Sequence, residues 1–576
     1  MARWVVAGMV LLSACAPASK KPSDSSATAG APGGGTAGGG ASAGGVGAAG
    51  GGGFSGGGLG GGGGSVAGTG GIFVDLDAGV PVEDGCEAAA RTKQSIGCEY
   101  YATMMDSMIG EGCFAVFVAN TSNAPAHLTV GYGASTLDVA AFTRIPEGFG
   151  TALGYRPYEP ARGIAPDEVA ILFLSGPSGE VQFPAVACPV ASALPEGVFF
   201  TGTGLGRSFR ITTDVPVVAY QMNPYGGAGT SVTGASLLLP TSAWDTNYVI
   251  ASAFGDGGML PSLNVIAQAD GTRVTIVPTR AVTGGKGVPA SNANVPFDIV
   301  LGKGEQAQIS QEDLTGSVLA SDRPVGLMAG HQCMYIPDGV LACDHGEQMV
   351  PLIRALGSEY VGVMHRPRGK EPATWRVIGA ADGTTLTWSS DVGGPKSLEL
   401  GEVALFTTRD AFVVKSQDEA HPFLLFAHML GVNYESVPDN AGDPDSVLSV
   451  PPEQYLSRYV FFTDPTYPET NLVVVRRKVD GRFADVTLDC GGPLGGWTAL
   501  GEYEWTRTDL VRKNFESVGG CSTGRHVMES DNPFGLWVWG WGSSATAAQT
   551  TSVSYGYPAG MNVEYVNPVV VPPEPR

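Results

Sequence analysis

The sequence predicts an all-β protein: tandem β-sandwich-like repeats of about 100–110 residues, preceded by a disordered, glycine-rich linker. Three observations predict it. Short runs rich in Val, Ile, Phe and Tyr alternate with turn signals spaced roughly 8 to 15 residues apart. Helical periodicity is nearly absent, the best candidate being a short turn from Glu87 to Lys93. Three sequence elements also return in the same order along the chain.

The first element is a proline followed by an aromatic–valine pair: Pro240 with Tyr248-Val249, Pro351 with Tyr360-Val361, and Pro452 with Tyr459-Val460. The second is a pair of β-prone runs around Asp-Gly. It reads Asn264 to Ile276 about Asp270-Gly271 and Trp375 to Trp388 about Asp382-Gly383, and more loosely Leu472 to Leu488 about Asp480-Gly481. Asp-Gly between such runs predicts a hairpin. The third is a proline with apolar residues after it: Pro216-Val217, Pro324-Val325, Pro422-Phe423 and Pro533-Phe534. A proline there is expected to open a strand, where its missing donor does least harm. Gly-Glu steps at Gly304-Glu305 and Gly401-Glu402 fall between the second and third elements.

A degenerate first copy starts near Cys86, with Gly97-Cys98-Glu99-Tyr100 and the run Phe114 to Asn120. Four copies follow approximately as 86–235, 236–346, 347–446 and 447–560, with a C-terminal tail at 561–576. A β-propeller is the alternative architecture, each copy supplying one or two blades. About 100 residues is long for one four-stranded blade, which favours sandwiches.

The 576 residues carry 55 Asp+Glu against 33 Lys+Arg, a net charge of −22, which argues against a nucleic-acid partner. Hydrophobic residues make up 43%, enough to bury cores, and the 85 glycines concentrate near the start.

Residues 1–14 read as an export signal: Arg3 precedes an apolar run, Trp4 to Leu12, too short to span a bilayer. The ending Leu12-Ser13-Ala14-Cys15 resembles the lipobox of bacterial lipoproteins. That resemblance implies lipidation of Cys15, and two or three acyl chains make a stable anchor. Ala16 stands where an inner-membrane retention signal has Asp, so the expected location is the outer membrane of a Gram-negative bacterium, facing the surface or the periplasm. Residues 15–71, mostly Gly, Ala, Ser and Thr, form the expected tether, with a root-mean-square reach of about 40 Å. Residues 72–85 end it; Asp75-Leu76-Asp77-Ala78-Gly79 lacks the later acidic ligands of a calcium loop.

Apart from Cys15 there are eight cysteines, and an even number in an exported chain implies disulfides. Cys333 with Cys343 and Cys490 with Cys521 are the expected pairs of the later copies. Cys86, Cys98, Cys113 and Cys188 allow three connectivities, of which 86–98 with 113–188 is preferred. His331 and His345 beside Cys333 and Cys343 raise a Cys₂His₂ zinc site as the rival, but the spacing fits no common finger. No metal and no cofactor is expected.

No His-Glu-x-x-His, phosphate loop or nucleophile elbow is present, and no catalytic residue is assigned. The best polar cluster is His331, Asp344, His345 and Glu347, whose simpler reading is a disulfide-pinned loop. Trp537, Trp539 and Trp541 alternate and share one strand face. Exposed, they would bind sugars or protein; as core of the last copy they need no ligand, and core is expected. Asp439 to Asp445 is expected as a solvated acidic turn, with calcium between repeats as the alternative.

Two stretches carry a family likeness. Gly330 to Pro337 with Cys343 to Met349, and Pro216 to Pro224 followed by Leu239-Pro240 and Trp244 to Val249, resemble the IgGFc-binding protein N-terminal domain family. Tyr555 to Gly560 is similar too, so the likeness spans about 86 to 560. It implies an extracellular, β-rich recognition module and transfers no binding residue. The expected function is a non-catalytic, cell-surface binding or adhesion lipoprotein recognising protein or glycan. The alternatives are an exported hydrolase of glycans or peptides, using residues 331–348, and a structural envelope protein.

Overall fold

The Asp-Gly turns form, but none pairs its flanking strands as a hairpin; Asp480-Gly481 closes only the single bridge Val479 to Arg482. Gly271, Gly383 and Gly481 take φ values of 69°, 64° and 76°, which glycine adopts without strain. About Asp382-Gly383 the flanking strands lie in different sheets, and about Asp270-Gly271 and Asp480-Gly481 they pair with successive stretches of one long strand, so each turn is a corner between layers. The cause is a long strand, or a consecutive strand pair, that runs beside both flanking strands and changes sheet at its proline.

The computed structural model describes residues 85–575, apart from 149–151, 182–184, 227–229, 231, 253–258, 341, 435–436 and 546–550. The expectations for the signal segment, Cys15, the tether and residues 72–84 lie outside the described residues. The expected helical turn is α1 (Gly85–Thr92), and a second short helix is α2 (Val139–Phe142), capped by the Asp138 side chain.

The first repeat holds β1 (Ile96–Ala102), β2 (Phe114–Asn120), β3 (Leu128–Tyr132), β4 (Ser135–Leu137), β5 (Thr143–Glu147), β6 (Gly154–Pro157), β7 (Val169–Ser175), β8 (Gly204–Arg207), β9 (Phe209–Met222) and β10 (Ala235–Leu238). The second holds β11 (Asp245–Val249), β12 (Pro261–Ala267), β13 (Thr272–Val277), β14 (Phe297–Leu301), β15 (Glu305–Ser310), β16 (Val318–Met334) and β17 (Asp344–Met349). The third holds β18 (Glu359–Gly362), β19 (Ala373–Gly379), β20 (Thr384–Trp388), β21 (Ser397–Leu398), β22 (Val403–Thr408), β23 (Phe412–Ser416), β24 (Phe423–Met429) and β25 (Asp445–Leu448). The fourth holds β26 (Leu456–Thr463), β27 (Glu469–Arg477), β28 (Val486–Leu488), β29 (Gly492–Pro493), β30 (Thr498–Leu500), β31 (Tyr503–Arg512), β32 (Glu516–Ser517), β33 (Gly524–Trp541) and β34 (Ser554–Pro558).

One antiparallel plan recurs. The third repeat shows it with its sheets separate, β18-β23-β20-β21 and β22-β19-β24-β25. Elsewhere β23 and β24 are fused into one long strand: β9, β16 or β33. The layers face each other: Trp375 on β19 meets Phe412 on β23 at 4.8 Å between ring centroids, and Trp388 on β20 meets Phe406 on β22 at 5.0 Å. Each repeat is therefore a two-layer sandwich rather than a propeller blade.

The prolines do not open strands in three of the repeats. Pro216, Pro324 and Pro533 lie inside β9, β16 and β33, where the register against β1, β11 and β26 skips. The ladder is already broken there, so the missing N–H leaves no partner unsatisfied. Only Pro422 stands just ahead of a strand, β24.

The last strand of each repeat turns to a common centre. β10 lies against β17 and β34, and β25 lies against the same two, so four strands close a ring. Gln348 on β17 donates to the carbonyls of Ala235 and Gly556 at 2.9 and 3.1 Å, binding three repeats through one side chain. The first and fourth repeats meet through Phe117 and Phe462, stacked at 4.6 Å, and through Tyr220, which donates to Ala559 O at 2.5 Å. The tail 561–576 is a strap: Met561 O accepts from Ser95 N, Asn567 donates to the carbonyls of Ile353 and Leu356, and Asn247 exchanges two bonds with Val571.

Four disulfides brace the repeats: Cys86–Cys98, Cys113–Cys188, Cys333–Cys343 and Cys490–Cys521. With Cys333 and Cys343 bonded to each other, no thiolate is left there for zinc.

Candidate functional site

The polar cluster singled out in the sequence sits on two paired strands at the ring. β16 supplies His331, opposite Gly346, and β17 supplies Asp344, His345 and Glu347. All four are 0–1% exposed. A period of two puts His345 and Glu347 on one face of β17. There Glu347 Oε2 accepts from Gln221 Nε2 at 2.8 Å and lies 3.8 Å from His345 Nε2. Gln221 belongs to β9 and also bridges both backbone groups of Thr103 at 3.1 Å. His331 Nδ1 accepts from Cys333 N at 3.0 Å. Asp344 takes a different route: it accepts from Thr233 N, from His345 N at 2.9 Å and from Ser554 N at 3.3 Å. The structure thus pairs His345 with Glu347 and sends Asp344 to the first and fourth repeats.

The acidic turn is not the solvated loop expected. Asp439 and Asn440 are exposed at positive φ, but Asp443 and Asp445 are buried. Ser554 of the fourth repeat covers Asp443: Ser554 Oγ donates to Asp443 O at 2.7 Å and stands 3.3 Å from Asp443 N. The sequence displayed turn residues, and the partner that buries them lies 111 residues away.

Burial sets the protonation of this junction. It pushes Asp443 up to about 8. It raises Asp344 well above the carboxylate range, with the neighbouring charge of Asp443 adding to it. It also raises Asp445, aided by Glu347, and raises Glu347 itself. His331 goes the other way, held at about 3 by burial and then by His345. Neutral groups in a closed site donate and accept hydrogen bonds between repeats. With no exposed surface on His331, Asp344, His345 or Glu347, a glycan or peptide has no access to them.

The tryptophan ladder is core, as expected. Trp537, Trp539 and Trp541 on β33 are buried, Trp537 donating to Leu448 O at 3.0 Å and Trp539 packing on His365. Sequence reading missed the grouping of Asp489, Cys490 and His526. Its sulfur is committed to Cys521, while His526 sets one ring nitrogen 3.0 Å from Asp489 Oδ1 and the other 2.7 Å from Ser522 O. It pins the turn beside the disulfide and leaves no free ligand atom on the ring.

Open surface features lie at the repeat boundaries. Glu147, Arg156, Asp167, Glu168 and Arg525 line a groove of about 470 Å³ between the first and fourth repeats, already laced by ion pairs. Val403, Leu405, Arg280 and Asp313 line one of about 380 Å³ between the second and third.

A family model described as IgGFc binding protein matches residues 234–540. The human (Homo sapiens) IgGFc-binding protein is 27% identical over 288 residues, covering 48% of this chain and 5% of that protein. The chain therefore spans a small part of the curated relative it matches. No solved structure matches. The family match takes in the second and third repeats entire and nearly all of the fourth, more than half of the sequence, and the chain belongs to the IgGFc-binding protein family.

Proposed function

We propose that this chain is a non-catalytic recognition module that binds protein ligands and is displayed on the outer membrane by an acylated Cys15. The family is a binding family rather than an enzyme family, and its match over residues 234–540 is the observation that carries the reading. The architecture supports it. Four sandwiches, three of them disulfide-braced, locked at a buried ring make a rigid frame, and rigid frames present loops and edges with little ordering cost on binding. Adhesion to glycans is less favoured, because the tryptophans that would stack on sugar are buried.

The test is surface plasmon resonance on the immobilised full chain, with the Fc fragment of immunoglobulin G as first probe and fractionated extracellular proteins as the second. Saturable binding that disappears when the disulfides are reduced is expected. If no protein in either set binds above the reduced chain, the reading falls. Replacement of Cys15 by serine is expected to release the chain from the envelope; retention would contradict the anchor.

A further inference from the structure

The four repeats are alike enough that one difference among them is informative. In every repeat the second layer has an outer strand at the same place: β7, β15, β22 and β31. Three of these are covered by a further strand. β5 pairs with β7, β8 pairs with β15, and β30 pairs with β31. β22 pairs with β19 alone, and no other described strand adds to its outer side.

The backbone there is open. Gly379 N donates to Glu402 O, so the even-numbered residues of β22 turn their backbone groups to β19. Val403, Leu405 and Thr407 turn theirs outward. Unpaired edges are usually blunted by charge or proline. β22 does the reverse. Counting from the shared Gly-Glu step, Val403 and Leu405 occupy the places of Gln306 and Gln308 on β15. Under β8, Gln306 and Gln308 are 2% and 0% exposed; Val403 and Leu405 are 37% and 52% exposed. On β15, under β8, these places are polar and buried, and on the covered β7 they are Val169 and Ile171, also buried; on the open β22 they are apolar and exposed.

The covered edge also shows how an occupant sits. β8 runs antiparallel to β15 and ends in Arg207, opposite Glu305 and 3.5 Å from its carboxylate. Glu402 stands in the place of Glu305 and is exposed. At the other end of β22, Arg409 is exposed, and its charge, after burial, helps hold down the pKa of Arg507, a guanidinium that stacks on Trp505. Neither arginine has a carboxylate within ion-pair distance among the described residues. An acidic start and a basic end, in a chain of net charge −22, define the charge order of a strand that fits.

We infer that the open edge of β22 binds an extended segment of a protein partner by strand addition. The segment runs antiparallel to β22, with an acidic residue facing Arg409, apolar residues over Leu405 and Val403, and a basic residue facing Glu402. Register fixes the pattern as acidic, any three, apolar, any one, apolar, basic. Backbone pairing supplies affinity and the alternate side chains supply selection. This deepens the protein-binding reading and rests on it.

The experiment pans a phage-displayed random dodecapeptide library on the full chain and, in parallel, on Leu405→Lys, whose fold is checked by circular dichroism and melting. Enriched sequences are then synthesised and measured by fluorescence anisotropy. The expected result is enrichment of the stated pattern, affinity at least tenfold weaker on Leu405→Lys, and slowed amide exchange at Val403, Leu405 and Thr407 on peptide addition. Peptides that bind both chains equally, or no enrichment above Leu405→Lys, overturn the inference. So does a wild-type dimer that Leu405→Lys disperses, which would make a second copy the occupant. A protein ligand that binds wild type and Leu405→Lys alike would overturn the edge and leave the protein-binding reading standing.

Discussion

The hydroxyl of Tyr360 donates to the carbonyl oxygen of Phe423 at 2.8 Å. The same link recurs from Tyr248 to Val325 at 2.7 Å, from Tyr100 to Val217 at 2.6 Å, and from Tyr459 to Phe534. It joins the first recurring sequence element to the third. The accepting carbonyl lies just past the proline, where the ladder is interrupted, and the tyrosine supplies a donor at that break. Tyr360→Phe is expected to lower stability by about 1–2 kcal/mol, and Tyr248→Phe by a similar amount. Urea denaturation with an unchanged slope checks this; an unchanged midpoint would make the link incidental.

The ring makes stability fall with rising pH across neutrality. Asp443 titrates at about 8 when folded against 3.8 unfolded, and Asp344 is raised likewise. A raised carboxyl favours the fold fully below its unfolded pKa, and that contribution is lost as pH rises through the folded one. His331, held at about 3 against 6.5, acts oppositely but only below about 6.5. Between pH 6.5 and 8.5 the carboxyls act alone. Asp443 by itself is expected to lower stability there by roughly 1 kcal/mol per pH unit, and Asp443→Asn to make the slope shallower by about that amount. Denaturant midpoints across that window measure it.

The second and third repeats touch through two glycines. A Cβ on Gly316 would lie 2.2 Å from Gly401 O, and one on Gly401 would lie 2.5 Å from Gly316 O. Gly316→Ala is expected to destabilise by more than about 2 kcal/mol, because neither backbone can yield and φ is 86°. Gly383→Ala, at φ 64° with nothing near, is expected to cost only about 1 kcal/mol. Melting of the two variants side by side separates contact from conformation.

Loop length ranks the disulfides. Cys113–Cys188 closes 75 residues and Cys333–Cys343 closes 10. Chain-entropy reasoning gives about 4 kcal/mol for the first and about 3 for the second. Paired serine substitutions followed by denaturation are expected to preserve that order.

Much of the fold was legible because its signals are local. Tyr360-Val361, Asp382-Gly383 and Pro422-Phe423 each mark an element within a few residues, and their spacing exposes the repeat. The sandwich layers follow, and so does the disulfide-pinned loop at Cys333. The corner at Asp382-Gly383 was not legible, since a turn motif does not say which sheet its flanking strands join. Nor was the ring: Ala235, Glu347, Val447 and Tyr557 lie on equivalent strands and share no chemistry, because each faces another repeat rather than its own core. Asp443 looked solvated for the same reason, its cover being Ser554. The open edge at Leu405 emerged only when β8 was seen to cover the matching strand.

The recognition reading depends on a chain that leaves the reducing cytoplasm and folds as a disulfide-braced frame. The most direct measurement is a peptide map of protein taken from intact envelopes, with free thiols alkylated before digestion and no reductant. The account predicts Cys86 linked to Cys98, Cys113 to Cys188, Cys333 to Cys343 and Cys490 to Cys521, with no alkylated cysteine in the body. Alkylated thiols at those positions in the native protein would contradict it.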